Sequence, residues 1–349
     1  MKKVVCLSLI LALALTAAFA GGSKDKQAAP AAAATKSNKI VIYTSMFEDV
    51  IKAVEGVLSK KFPNYDIVFT YGGTGQIQAR VDAEQAANKL GCDILMVAEP
   101  AYSLELAEFG MLHPFKSKEA ENLVFDYDPD GLWYPVRVSN MVLAYNPARN
   151  AKNAIPNSFY DFAHDQRVKG AISMSNPLTS GTAMATVTAL RDKYGYAYFD
   201  ALGSQGVAID SGSVALAKLE TGEYKVIMVL EESVLKKRQE EKSRLEVIYP
   251  TDGVIMIPST IMIVNDQWNA NKNTPAAEAI ADWFLSEEGQ AAIVNAWMHS
   301  VRANYPKLPY DAAPTDQIRS NSIPVNWDNY FRQRDEIRHR FEDYIINRK

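Results

Sequence analysis

The chain has 349 residues, and its 41 acidic side chains outnumber 37 basic ones to give a net charge of −4. That length exceeds what one hydrophobic core organises and implies two lobes. The mildly acidic balance, with no basic block, argues against a nucleic-acid partner. Two cysteines, Cys6 and Cys92, argue against a disulfide framework.

Met1-Lys2-Lys3 and the apolar run Val4 to Ala20, ending Ala18-Phe19-Ala20, have the form of a secretory signal cleaved after Ala20. The run is shorter than the roughly 20 apolar residues that span a bilayer. Gly21 follows the expected cut, where a lipid anchor would need a cysteine. Residues 1–20 therefore read as a signal peptide and residues 21–38, rich in Ala, Lys and Gly, as a flexible tether. The expected location is periplasmic. Cys92 then remains alone at the start of an apolar run and reads as a small buried side chain.

Lys39–Tyr43 is a short buried strand, and Thr44-Ser45 stands where it would cap a helix. The apolar positions of that helix are Phe47, Val50, Ile51, Val54, Val57 and Leu58. Asp66–Tyr71 is a second strand, Gly72–Gly75 a turn, and Gln76–Leu90 a helix. Asp93–Val97 is a third strand, followed by Ala98-Glu99-Pro100 and a helix stopped at Gly110. Three strand–loop–helix units in succession predict an open parallel sheet. Ligands bind such sheets outside the carboxyl ends of the strands, which nominates Ser45, Thr74, Gly75 and Glu99. Gly73-Thr74-Gly75 is neither a dinucleotide fingerprint, having Gln78 at the third glycine position, nor a P-loop, having no Gly-Lys-Ser/Thr.

Trp133–Tyr145 reads as a strand crossing between lobes, and its Arg137 is either a ligand cation or one side of a structural ion pair. Pro156–Asp161 caps another helix, and Ala171–Met174 is a strand that enters Ser175-Asn176-Pro177. Thr179-Ser180-Gly181-Thr182 then opens a helix with Met184, Val187 and Leu190 at helical spacing. Hydroxyls, a glycine that admits close approach, free N–H groups and the positive end of a helix together suit an anion. The same residues also serve as a plain N-cap. Gly206–Asp210 is a strand leading into a second such start, Ser211-Gly212-Ser213. The strand Lys225–Leu230 ends at Glu231, Glu232 and Ser233. Carboxylates are costly to bury unpartnered, so the two glutamates either begin a solvated helix or accept ligand hydroxyls. Leu245–Tyr249 and Val254–Val264 are strands, Ala276–Trp297 is a helix broken near Gly289, and Trp327–Ile346 is a charged amphipathic helix.

No His-Glu-x-x-His, Cys-x-x-Cys or Gly-x-Ser-x-Gly motif is present. His113, His164, His299 and His339 are far apart in sequence and none lies in a candidate loop, so a serine hydrolase built on Ser180 or Ser45 has no visible base.

The strand Ile40–Tyr43 with Ser45, Asp93–Glu99, Ala144-Tyr145-Asn146-Pro147, Ser180-Gly181-Thr182 and Ser213–Leu216 carry a resemblance that Ile280–Gln290, ending Ser286-Glu287-Glu288-Gly289-Gln290, makes most specific. Over residues 39–310 the chain resembles bacterial extracellular solute-binding proteins of ABC importers, in the group holding ferric-iron-binding and phosphorylated-solute-binding members. That resemblance implies a type II periplasmic-binding-protein fold: two α/β lobes, each a mostly parallel sheet flanked by helices, joined by crossing hinge strands. The lobes would be 39–138 with 255–300, and 139–254 with 301–349. It implies no catalysis and no cofactor, with a monomer that closes on its solute and docks on a permease.

Ferric members of the group resemble this chain at Ser180-Gly181-Thr182, where they hold a synergistic anion. They bind iron with adjacent tyrosines where this chain has Glu231-Glu232-Ser233, and no Tyr-Tyr pair occurs anywhere in the sequence. A small anionic organic solute, best a sugar phosphate, is therefore the expected ligand; ferric iron with an anion is the alternative. The implied contacts are Ser45, Thr74, Gly75, Glu99, Thr179, Ser180, Gly181, Thr182, Ser211, Gly212, Ser213, Glu231 and Glu232.

Overall fold

The structure, a computed structural model, describes residues 38–303, 305 and 312–348. The signal peptide and nearly all of the tether expected from the sequence lie outside these residues. Strand β1 (Lys39–Thr44) leads to α1 (Glu48–Lys61), β2 (Asp66–Tyr71) to α2 (Thr74–Ala86), and β3 (Ile94–Ala98) to α3 (Ala101–Glu108). The long β4 (Trp133–Tyr145) follows, then α4 (Phe159–His164), β5 (Ile172–Ser175), α5 (Gly181–Tyr194) and α6 (Ala197–Ser204). Next come β6 (Ala208–Asp210), α7 (Gly212–Thr221), β7 (Val226–Leu230), α8 (Glu231–Glu240), β8 (Glu246–Ile248) and β9 (Ile255–Ile263). The chain ends with α9 (Thr274–Leu285), α10 (Glu287–Asn295), α11 (Thr315–Ser320) and α12 (Trp327–Phe341). No helix among the described residues is long and apolar enough to cross a membrane.

The strands form one 9-stranded sheet in the order β2-β1-β3-β9-β4-β7-β5-β6, with β8 also on β4. It has two parallel sets, β2-β1-β3 and β7-β5-β6. Between them run the antiparallel strands β9 and β4. β4 pairs along its first nine residues with β9, and from Met141 to Tyr145 with β7. It thus belongs to both sets, as the sequence reading of a crossing strand required. A register shift at Pro135/Arg137 marks the passage.

Successive side chains of a strand face opposite sides. In the first set, Ile40, Ile42, Ile94 and Met96 face α1, α9 and α10, whereas Val41, Tyr43, Leu95 and Val97 face α2 and α3. In the second, Met141, Leu143, Ile172 and Met228 face α4, α5, α6 and α12, whereas Val142, Ala144, Ile227 and Val229 face α7 and α8. Strands covered on both faces read as continuous apolar runs, which is why they were visible in the sequence. Cys92 is fully buried, as expected, in the core beside α2 and α3.

Some expectations fail locally. Thr44 and Ser45 do not cap α1: Thr44 Oγ1 accepts from Met46 N at 3.1 Å and Ser45 Oγ from Ala98 N at 2.9 Å. Phe47 takes the N-cap position with an exposed ring, so its place in the apolar stripe is lost. The helix expected to Leu90 stops at Ala86, with Asn88 at φ 55 just beyond. The break between α9 and α10 falls at Ser286, whose Oγ accepts from Gly289 N.

A candidate ligand-binding cleft

The carboxyl ends of the parallel strands converge on one cavity of about 440 Å³. Ser45 follows β1, Tyr71 ends β2, Ala98 ends β3, Ser175 ends β5, Asp210 ends β6 and Leu230 ends β7, and all six line it. This is where an open α/β sheet binds ligands.

Three helix starts open onto the cavity, through Thr74 of α2, Gly181 and Thr182 of α5, and Gly212 of α7. The first N–H groups of each helix have no acceptor within the helix and carry the positive end of its dipole. At α5, Ser180 Oγ accepts from Ala183 N and lies 3.1 Å from Thr182 Oγ1. At α7, Ser211 Oγ caps in the same way through Val214 N. A Cβ on Gly181 would lie 2.7 Å from Thr74 Oγ1 and 2.8 Å from the Ala98 carbonyl oxygen. A Cβ on Gly73 would lie 2.9 Å from the Thr179 carbonyl oxygen. The α2 and α5 starts thus touch, and the contact has no room for side chains at Gly73 and Gly181.

The floor carries charge. Arg137 is only 5% exposed, and its Nη1 lies 3.3 Å from Ser139 Oγ and 3.1 Å from Met298 Sδ, both uncharged. Ser139 Oγ in turn donates to Glu232 Oε1 at 2.9 Å, so a hydroxyl links guanidinium and carboxylate. Burial pulls the Arg137 pKa down to about 10, with Glu232 opposing. Burial likewise pushes the Glu232 carboxyl up, against the pull of Arg137 and the Ser139 hydrogen bond. Asp210 is different. Burial would raise its pKa, but hydrogen bonds from Tyr224 and Ser173 and the nearby Lys218 hold it below the usual carboxylate range.

Residues 92–333 match the family described as bacterial extracellular solute-binding protein. The chain belongs to that family. This solute-binding protein is 24% identical over 287 residues to a probable ABC transporter periplasmic-binding protein of Sinorhizobium fredii, covering 77% of this chain and 76% of that one. Its fold is similar to iron-bound HitA from Pseudomonas aeruginosa (TM-score 0.75, 19% identity, 88% of this chain and 99% of that one). It is also similar to AfuA from Actinobacillus pleuropneumoniae with fructose-6-phosphate bound (TM-score 0.74, 20% identity, 88% and 98%). The fold is that of the type II periplasmic binding proteins, two parallel sets joined by crossing strands.

Of the nominated residues, Ser45, Thr74, Thr179, Ser180, Gly181, Thr182, Ser211, Gly212 and Glu232 line the cavity of the solute-binding protein. Four do not. Gly75 lies beside it, lining a space of about 20 Å³ against Leu178. Ser213 is exposed, its Oγ 3.2 Å from Ser211 Oγ. Glu99 is turned inward, 1% exposed, with Oε2 accepting from Tyr102 N at the start of α3. Glu231 is also 1% exposed, because its carboxylate is taken up by other side chains. It accepts from Asn140 Nδ2 at 2.7 Å and from the Tyr249 hydroxyl, and lies 2.7 Å from His299 Nε2. Thus neither glutamate begins a solvated helix: Glu231 faces the core and Glu232 the cavity.

Sequence reasoning left Arg137 open and missed Ser139, Asp210, Phe47 and Tyr71, all of which line the cavity. Strand alternation carries a signal for two of them, since Arg137 and Ser139 share one face of β4. The hydrolase reading finds no histidine base at the cavity. His113 pairs with Glu278, His164 with the Tyr160 carbonyl oxygen, His299 with Glu231 and His339 with the Asp335 carbonyl oxygen.

Proposed function

We propose that this solute-binding protein serves an ABC importer, capturing a small anionic organic solute, a phosphorylated sugar, between its two lobes and delivering it unchanged to a permease. One observation carries the reading: three helix starts and the buried guanidinium of Arg137 line a single cavity. A buried guanidinium linked to a carboxylate only through a hydroxyl retains unspent capacity for an anion. The fructose-6-phosphate bound to the structural neighbour AfuA supports this solute class.

Iron-bound HitA supports ferric iron as the competing reading. Against it stands the end of β7, where Glu231 is consumed by Asn140, Tyr249 and His299. Of the two carboxylates there Glu232 alone lines the cavity, and Ser139 already donates to it. Among the described residues no group of three or more His, Cys, Asp and Glu is arranged to hold a metal ion. The lobes, 39–138 with 255–300 and 139–254 with 301–349, would move about β4 and β9. The signal over residues 1–20 would export a monomer to the periplasm.

The test is a thermal-shift screen of metal-free protein against hexose phosphates, phosphoglycerate, aminoethylphosphonate, thiamine phosphates and ferric citrate. A solute at about 100 times its dissociation constant adds roughly 2.7 kcal/mol. A shift with a sugar phosphate is expected, and Arg137→Gln is expected to weaken it about 10- to 100-fold, the worth of a charged hydrogen bond. A shift with ferric citrate alone overturns the solute assignment.

A further inference from the structure

Phe47 and Tyr71 line the same cavity with rings left 43% and 41% exposed. Their centroids are 6.3 Å apart and their planes inclined at 49°. Both rings are set by backbone position: Phe47 is the N-cap of α1 and Tyr71 the last residue of β2. Phe47 has left the apolar stripe of its helix, and neither residue is a buried member of the core. Two large apolar faces held open beside a cavity of about 440 Å³ are a recognition surface.

We infer that the solute is the phosphate monoester of a ring compound, with its ring against Phe47 and Tyr71 and its phosphate on the helix starts. The inference rests on the phosphorylated-solute reading above and specifies what the phosphate is attached to. Aromatic faces favour a flat or C–H-rich ring face over a solvated open chain. The cavity therefore selects the closed-ring form, whether a pyranose or an aromatic ring.

The experiment is isothermal titration of the full protein with glucose 6-phosphate, sorbitol 6-phosphate, phenyl phosphate and inorganic phosphate. Sorbitol 6-phosphate keeps the phosphate and hydroxyls but has no ring. Wild type is expected to bind at least one cyclic ester about tenfold more tightly than the open chain, the size of an aromatic stacking contribution. The double substitution Phe47→Ala, Tyr71→Ala is expected to reduce that preference to about twofold or less. Tighter binding of phenyl phosphate than of glucose 6-phosphate supports the inference and assigns the ring to an aromatic class. Equal binding of open and closed forms overturns it, as does a preference that survives the double substitution. Failure of all four ligands while phosphoglycerate or aminoethylphosphonate shifts the melting temperature overturns this inference and leaves the phosphorylated-solute reading standing; failure of every phosphorylated ligand overturns both.

Discussion

Glu231 and Glu232 are adjacent in sequence and opposite in role. Glu231 sits in a buried cluster with Asn140, Tyr249 and His299, and His299 Nδ1 is in turn 2.8 Å from Thr315 Oγ1. Removing one member of a buried charged network leaves the rest unsatisfied, which costs about 3–5 kcal/mol. Glu231→Ala is therefore expected to lower unfolding stability by about that much in a urea titration. Glu232→Ala is expected to lower solute affinity in addition to stability, because its carboxylate lines the cavity and is also the charge partner of the buried Arg137 guanidinium. Equal solute affinities in the two variants would contradict this division. The sequence carried the position of the pair at a strand end, but not which of the two faced inward. That depends on His299 and Tyr249, which reach Glu231 from other parts of the chain. Arg137 shows the same limit: its role turns on Ser139 two residues on and Met298 far along the chain.

Among the elements, the helix starts were the most legible part of the site. Hydroxyl–glycine sequences before α5 and α7 could be read directly, because capping chemistry is local. What could not be read is that α2 and α5 meet. Gly181→Ala tests that contact, because its Cβ must displace both Thr74 and the Ala98 backbone carbonyl. Solute affinity measured by titration is expected to fall more than about tenfold, since the helix starts must separate. An unchanged affinity would mean the contact is not part of binding.

Glu99 joins elements in another way. It follows β3 at φ 95, a strained conformation for a residue with a side chain, and stands two residues before α3. Burial pushes its carboxyl well above the usual range, with Arg334 of α12 opposing and Glu105 of α3 adding to the rise; the Tyr330 phenol of α12 also faces it. A carboxyl with a raised folded-state pKa binds its proton more tightly when folded. Its stabilising contribution is complete below the unfolded value of about 4.3 and is lost as pH rises through the folded pKa. Glu99→Gln keeps the neutral form at every pH. Its melting temperature is expected to decline less than that of wild type from pH 5 to pH 8, and parallel curves would count against a buried neutral acid.

On the scale of the whole molecule, the parallel sets share β4 and β9, and they also meet around the cavity, along α12, and where Lys236 of α8 pairs with Asp49 of α1. Arg334 of α12 reaches Glu105 of α3 at 2.8 Å, while Gln333 of the same helix accepts from Arg191 of α5 at 2.6 Å. The C-terminal helix therefore touches both sets on the side where α2 meets α5. The swing of the sets about β4 and β9 proposed for capture would part those helix starts. A covalent tie across the contact should trap whatever the cleft holds. A Cβ at Gly75 would lie 3.6 Å from Thr179 Cα, close enough for a disulfide in the double variant Gly75→Cys, Thr179→Cys. Among the described residues the one native thiol, Cys92, is fully buried and its pKa is raised by that burial, so it does not compete for oxidation. The reduced variant is expected to bind and release labelled solute, with some affinity lost at Thr179. Oxidised while empty, it is expected to admit none; oxidised after loading, it is expected to retain its solute through dilution until a reductant is added. Free exchange in the oxidised form would show that solute reaches the cavity without the helix starts parting, and closure about the crossing strands would then play no part in capture.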